Sequence, residues 1–413
     1  MFRAVVFSFA SLFACAACAQ APGDKLPAEK QAKLGEVRAQ LQAAMDAKDE
    51  QAVYAAVARA RAVLGSYAGV PESPEEYARP IDARLPDMDS VGRQVHETLM
   101  QLLPHAGSRS EIGQKNQMEL RDPAYFAVAC IAMAKSGAPN AAEYVARARE
   151  ELDYLLERQY QTGMFPYPAD AGPNAPAHVR AMVEQFLQEH PDSVWNGYVI
   201  ITDGGNQFDT GCCAYAMVQG YMLTREEKYL ESAKRAAAWS LQQGLSTNWN
   251  YNAFSVWFLA ALYGVTHEAR LLEGAVEKAL LGVLPGLMEN GRWVDQHNAK
   301  LSYHYIMVRA LSELLRVMPK DEPRYEEIKT KTAMAAEARA REILESGPAN
   351  IESTLWGLVS YLTVLGPNDV CRNAANTIVN AMAARGTFNP IATPLYIQYM
   401  IEQPSAPGPR RLP

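Results

Sequence analysis

The feature that most narrows the fold is an alternation repeated five times: a helix apolar almost all round, then a helix with many charges and one apolar stripe. Helical spacing places these pairs at 123–135 with 141–160, 210–223 with 226–243, 251–263 with 267–284, 300–318 with 325–345, and 351–365 with 369–385. A helix apolar on every side must be enclosed, whereas a single-stripe helix lies at the surface. The pattern therefore describes an inner ring wrapped by an outer one. Segments 91–103 and 394–401 supply a sixth pair that closes the ring. The expected fold is all-α, an α/α toroid of five to six helical hairpins. An open superhelix of helical pairs would carry the same pattern. Strands are expected to be few, with alternation only near 198–202. Gly163, Gly244, Gly291, Gly347 and Gly386 stand where left-handed helix caps are expected.

Apolar residues at helical spacing over 25–64, broken near 48–50, predict an extra N-terminal helical hairpin spanning 20–65. Prolines and acids over 66–90 read as a linker, residues 91–402 as the toroid domain, and 403–413 as a disordered tail. At the start, Arg3, an apolar run from Ala4 to Ala17 and the small residues Ala17-Cys18-Ala19 predict a signal peptide over 1–19, hence export to the periplasm or beyond. The run is too short to span a bilayer. Lipid attachment at Cys15 or Cys18 is the competing reading.

The net charge of −7, one unit more negative without the leader, and the lack of any Lys/Arg cluster argue against nucleic acid as a partner. Cys130, Cys212, Cys213 and Cys371 would remain in an oxidising compartment, with three connectivities open to two bridges. Buried free thiols are the plainer expectation. The spacing of these cysteines is unlike a zinc site or a redox pair.

In a ring, the turns entering the inner helices gather at one mouth. The outer-helix turns hold ordinary helix punctuation, while the inner ones hold Arg121, Asp122 and Tyr125; Asp203, Asn206, Asp209 and Thr210; Asn248 through Asn252; and Asn350, Glu352, Thr354 and Trp356. The richest is 291–305, with Arg292, Trp293, Asp295, His297, Asn298, Lys300, Tyr303 and His304. Trp249, Tyr251, Trp293 and Trp356, with Asn252 and Glu352 beside them, suit a sugar, whose C–H faces stack on aromatic rings while its hydroxyls need short polar partners. The expected partner is a polysaccharide or oligosaccharide.

These paired helices and aromatic-polar turns resemble the α/α-toroid carbohydrate-active enzymes, among them six-hairpin glycosidases and toroidal polysaccharide lyases. The stretch Leu155-Leu156-Glu157-Arg158-Gln159, then Gly163-Met164-Phe165-Pro166-Tyr167-Pro168 and Ile201-Thr202-Asp203-Gly204, is similar to the helix-turn pattern of toroidal pectate lyases over about 145–240. The likeness stops short of the family's catalytic part, so it supplies no catalytic residue. It implies no required cofactor, with calcium as an option by analogy, although the sequence has no dedicated calcium loop.

Two chemistries fit. In β-elimination, a uronate carboxylate is neutralised and a base removes the neighbouring proton. His297 and Asn298 are candidates for neutralisation or base, Tyr303 or Tyr251 for proton donor, and Arg121, Arg292 or Lys300 for grip. In hydrolysis, two of Asp209, Asp295 and Glu352 flank the bond, with Asp203 in reserve. His304 is either catalytic or a hydrogen-bonded core histidine, and Asp209 is equally an N-cap. Elimination of an acidic polysaccharide is the leading expectation, hydrolysis the alternative, and non-catalytic glycan binding or scaffolding the third.

Overall fold

A computed structural model describes residues 26–73, 75, 77, 81–107, 120–168, 181, 184–185, 187–195, 198–199, 206–348 and 352–403. The expected leader, Asp203, Asn350 and the tail from 404 lie outside them.

The helices are α1 (Ala28–Asp46), α2 (Glu50–Leu64), α3 (Met88–Gly107), α4 (Arg121–Lys135), α5 (Ala141–Leu156), α6 (Asn206–Thr224) and α7 (Glu227–Gln242). They continue as α8 (Trp249–Thr266), α9 (Ala269–Gly282), α10 (Leu301–Val317), α11 (Tyr325–Ser346), α12 (Thr354–Leu365), α13 (Asp369–Arg385) and α14 (Ala392–Glu402). Among the described residues, three two-residue strands, β1 (Tyr167–Pro168), β2 (Val194–Trp195) and β3 (Tyr198–Val199), form one antiparallel sheet in the order β1-β3-β2.

Six helices make the inner ring. Each of α4, α6, α8, α10, α12 and α14 packs on the next, and α14 returns to α4, so the ring is closed and the superhelix alternative falls. The sequence explains why they are inside. Every residue from Pro123 to Met133 of α4, and from Asn252 to Leu262 of α8, is buried, which only neighbours on all sides can provide. The outer helices bury one stripe each, as α7 does with Tyr229, Ala233, Ala236 and Ser240. Helices α5, α7, α9, α11 and α13 back the first five inner helices, and α3 packs on α14 to complete the sixth hairpin. Among the described residues, no helix is long and apolar enough to cross a membrane.

Of the glycines expected in left-handed caps, Gly163, Gly291, Gly347 and Gly386 have positive φ and Gly244 does not. At Gly291 the requirement is twofold, since φ is +76° and a Cβ would lie 2.4 Å from that of Ala338 on α11.

The hairpin α1–α2 shares the main core through Met45, Val53 and Leu64. The segment after it, expected as a linker, is tied along the rim of the ring. Gly69 N–H donates to Val294 O (2.9 Å) and Glu72 N–H to Gln296 O (3.1 Å). The Glu75 carboxylate accepts from Leu301 N–H at the start of α10, where the helix dipole favours an anion, and contacts Arg292 and Arg339 at 3.4 Å each. Further on, Asn380 of α13 donates to Asp82 O and Arg84 O, and Asn376 to Ala83 O.

Glu75 has a side chain only 8% exposed, so its loss strands charge in the interior. We expect Glu75→Ala to cost about 3 kcal/mol in chemical denaturation, whereas a cost near zero would mean that this segment is not seated on the rim.

Candidate functional site

Because the inner helices run parallel around the ring, their N-terminal ends share one mouth, and side chains one or two turns below it meet on the axis. Arg309 of α10 reaches across the lumen to the diametrically opposite α4, where its guanidinium donates to Tyr125 Oη at 3.2 Å. Aromatic rings enclose it: Trp257 lies 3.8 Å from the guanidinium carbon, Trp356 4.3 Å, Phe254 5.0 Å, Tyr305 5.2 Å and Tyr125 5.6 Å. Cys212 of α6 donates to the same Tyr125 oxygen (2.9 Å), and Tyr215 stacks on Trp257 from below. Five of the six inner helices thus contribute to a packed layer that floors the mouth.

Above this layer stand Tyr305, half-buried one turn nearer the mouth, and Arg121, whose guanidinium lies 4.4 Å over the Phe208 ring and 4.0 Å from Asp209. Asp209 is 2% exposed and lies inside the first turn of α6, so it is not the N-cap that its sequence allowed. Burial raises the pKa of Tyr305 while Arg309 and Arg121 oppose the rise, so the phenol keeps its proton at neutral pH. Burial also pushes the Cys212 thiol up to about 12. All four described cysteines are free and buried, so among the described residues there is no disulfide and no exposed thiol.

The stretch 291–305 divides. Trp293 is fully buried and its Nε1–H donates to Val283 O (2.9 Å). Trp249, 2% exposed, packs against Gly286, where a Cβ would meet both indoles at under 3 Å. These two tryptophans are core and offer no face to a sugar. Asn252 is likewise structural, accepting from Ser246 N–H and donating to Ser246 O and Gly282 O. Arg292 is engaged by Glu75, Glu342 and Ala299 O. Burial opposes ionisation of Glu342, but Arg339, the Tyr77 hydroxyl and Arg292 outweigh it and hold the carboxyl below its usual range. Glu352 pairs with Arg385 at the rim.

Asn298 sits at the centre of a buried amide network. It donates to Asn248 Oδ1 (2.9 Å) and Asp295 Oδ1 (3.0 Å) and accepts from Asn250 Nδ2 (2.8 Å), while its backbone N–H also donates to Asp295 Oδ1 (2.8 Å). Asp295 Oδ2, Asn250 Oδ1 and Thr354 Oγ1 are buried without a hydrogen-bond partner among the described residues. His297 lies with Nδ1 3.3 Å from Glu72 and its ring 4.0 Å from that of Tyr303, so the structure does bring this pair together. Lys300 shares Glu72 (2.6 Å). Tyr251 is half-buried at the start of α8. Trp356 alone of the four expected tryptophans and tyrosines reaches the axial layer, edge-on to Tyr125 and Trp257.

The sequence reading missed Arg309, Tyr305, Trp257 and Phe208. For Tyr305 and Arg309 the signal was a polar stripe, Ser302, Tyr305, Arg309, Glu313 and Arg316, at helical spacing on a helix otherwise marked for the interior. Among the described residues, no group of three or more His, Cys, Asp or Glu side chains is arranged to hold a metal ion.

No protein-family model matches the chain, and no curated protein matches it. Among solved structures the chain is similar to a polysaccharide lyase, at 12% identity over 75% of this chain and 96% of that one, with a TM-score of 0.47. It is also similar to a glycosyl hydrolase family 88 protein from Bacteroides vulgatus (13% identity, 69% and 84% covered, TM-score 0.43). A third is a protein from Listeria innocua (13% identity, 64% and 87% covered, TM-score 0.31). The closed ring itself stands on contacts between this chain's own helices.

His304 takes the core role: its Nε2–H donates to Gly291 O (2.9 Å), its ring meets Trp293 edge-on, and it is 2% exposed. Burial, then Arg339 and Arg292, drive its pKa well below 6.5. The unfolded chain therefore binds a proton that the folded one refuses, and stability falls as pH drops through about 6.5, the unfolded imidazole value. His304→Gln should flatten that fall in urea midpoints measured from pH 7.5 to 5. An unchanged slope would mean that His304 titrates normally.

Proposed function

We propose that this protein is an exported carbohydrate-active enzyme that cleaves an acidic polysaccharide by β-elimination at the mouth of the ring. The observation that carries the reading is the makeup of the lumen: guanidiniums (Arg121, Arg309) and phenols (Tyr125, Tyr305) converge there, while two carboxylates needed for hydrolytic pairing are engaged elsewhere, Glu352 by Arg385 and Asp295 by Asn298. Elimination needs the first kind of group and hydrolysis the second.

In this reading Arg121 sits against the uronate carboxylate and stabilises the negative charge that develops when the adjacent C5 proton leaves. His297 takes that proton. The Glu72 carboxylate beside Nδ1 favours the tautomer protonated there, which puts the basic lone pair on Nε2. The electron pair of the C5–H bond becomes the C4–C5 double bond, the C4–O bond breaks, and Tyr305, whose raised pKa keeps it protonated, supplies the proton to the departing oxygen. Tyr303 and Tyr251 flank the approach, and Trp356 lies beneath it in the floor of the mouth. Asn298 supports the loop through its amide network. Every step is assigned to a side chain of this protein, so turnover should survive a chelator; loss of activity that calcium restores would add the ion to the account.

The test is incubation with a panel of acidic and neutral polysaccharides, followed by ultraviolet absorbance of unsaturated ends and by reducing-end release. We expect both signals on an acidic polymer. Reducing ends without absorbance would indicate hydrolysis, with Asp209 as the remaining lumen carboxylate among the described residues, and glycan binding with neither signal would indicate a binding protein. On the active substrate, Tyr305→Phe and His297→Ala should each lower kcat by about 100-fold or more without moving the unfolding temperature. Asn298→Ala should lower activity and unfolding temperature together. Full activity in Tyr305→Phe would remove the lumen from the mechanism.

A further inference from the structure

Arg309 is fully buried, cannot be deprotonated at any physiological pH, and has no carboxylate partner among the described residues. One of its nitrogens donates to Tyr125, while Nε and the other terminal nitrogen, both buried, have no acceptor among the described residues. The faces of the guanidinium are covered, with Trp257 at 3.8 Å and Trp356 at 4.3 Å, so cation–π attraction offsets part of the desolvation. Ring faces do not satisfy the in-plane N–H groups, which need oxygen acceptors. A methionine or leucine would fill such an apolar position without this cost.

The surroundings favour one kind of acceptor. The side chains around the guanidinium are aromatic on several sides, which fits the C–H face of a sugar ring, and the buried charge fits a carboxylate on that ring. Tyr305 stands one turn nearer the mouth on the same helix face, 5.2 Å from the guanidinium, and is only half-buried, so its side chain covers Arg309 from the side of the mouth.

We propose that Arg309 is a carboxylate-binding residue at the base of the lumen, which receives the acid group of a uronic acid unit when Tyr305 moves aside. The uronate identity rests on the acidic-glycan reading above, but binding at Arg309 does not depend on His297 or on turnover. It makes the lumen a charge-reading subsite beneath the cleavage site.

Calorimetric titration of the full chain with galacturonate and glucuronate, against galactose, glucose and acetate, tests this. A uronate should bind saturably, with galactose, glucose and acetate each weaker by about tenfold or more, as expected when a buried donor is left unpaired or the ring contacts are lost. Arg309→Met should abolish uronate binding while unfolding at the same or a higher temperature than the parent, since it removes an unpaired buried cation. Arg309→Lys should retain part of the binding. Uronate binding no tighter than that of the neutral sugars or acetate, or undiminished in Arg309→Met, would overturn the proposal. So would loss of binding in both variants together with a large drop in unfolding temperature, the mark of a merely structural hub. Uronate binding that needs Arg309, in a protein that yields no unsaturated product, would leave this subsite standing and remove the lyase reading. Unsaturated product without such binding would do the reverse.

Discussion

The structure depends on helices that have no side to give to water. A chain with one such helix can bury it in the middle of a bundle. A chain with six must let them bury one another, and a ring backed by a second ring gives every inner helix two neighbours, an outer partner and an axis. The axis is the remaining constraint. Side chains from five inner helices must fill it, and here they do so with Tyr125, Cys212, Trp257, Arg309 and Trp356. The packing demand that closes the ring therefore also builds the floor of the mouth, and a single buried cation is fixed in it.

The rim answers to a different demand. The turn before α10 carries aromatic, acidic and basic groups, and most of them hold the turn itself. Trp293 and His304 anchor it from beneath, Asn298 ties it to the start of α8, and Glu75 joins it to Arg292 and Arg339. The segment between the N-terminal hairpin and α3 is thereby part of the rim. The groups proposed to meet a substrate are a smaller set, with His297 and Tyr303 on the rim and Arg121 and Tyr305 in the mouth.

The ring was legible because it is written in periodicity. The contrast between helices such as α8, apolar throughout, and α7, apolar on one stripe, calls for an inner and an outer layer, which an open superhelix would also supply, and it is the packing of α14 on α4 that closes the ring. The site was legible only in part. Turn residues such as Asn252, Asp295 and Trp249 have the same composition whether they bind a sugar or hold a loop, and the difference lies in which way a side chain points after the turn has folded. Arg309 and Tyr305 were hidden for the opposite reason. They lie within a helix read as core, where a charge among Ile306, Met307, Val308 and Leu311 looks incidental until the ring shows that their common face is the lumen. The linker reading of 66–90 rested on prolines and acids, and the same acids act as helix cap and counter-ion once the rim is in place.

The most direct test of the whole account is a crystal structure of the His297→Ala protein with an acidic oligosaccharide bound. The glycan is expected in the mouth of the ring, with Tyr305 displaced, one carboxylate within hydrogen-bond distance of Arg309 and another facing Arg121. A glycan seated outside the ring, on the outer helices or along the N-terminal hairpin, with the lumen layer unchanged, would contradict it.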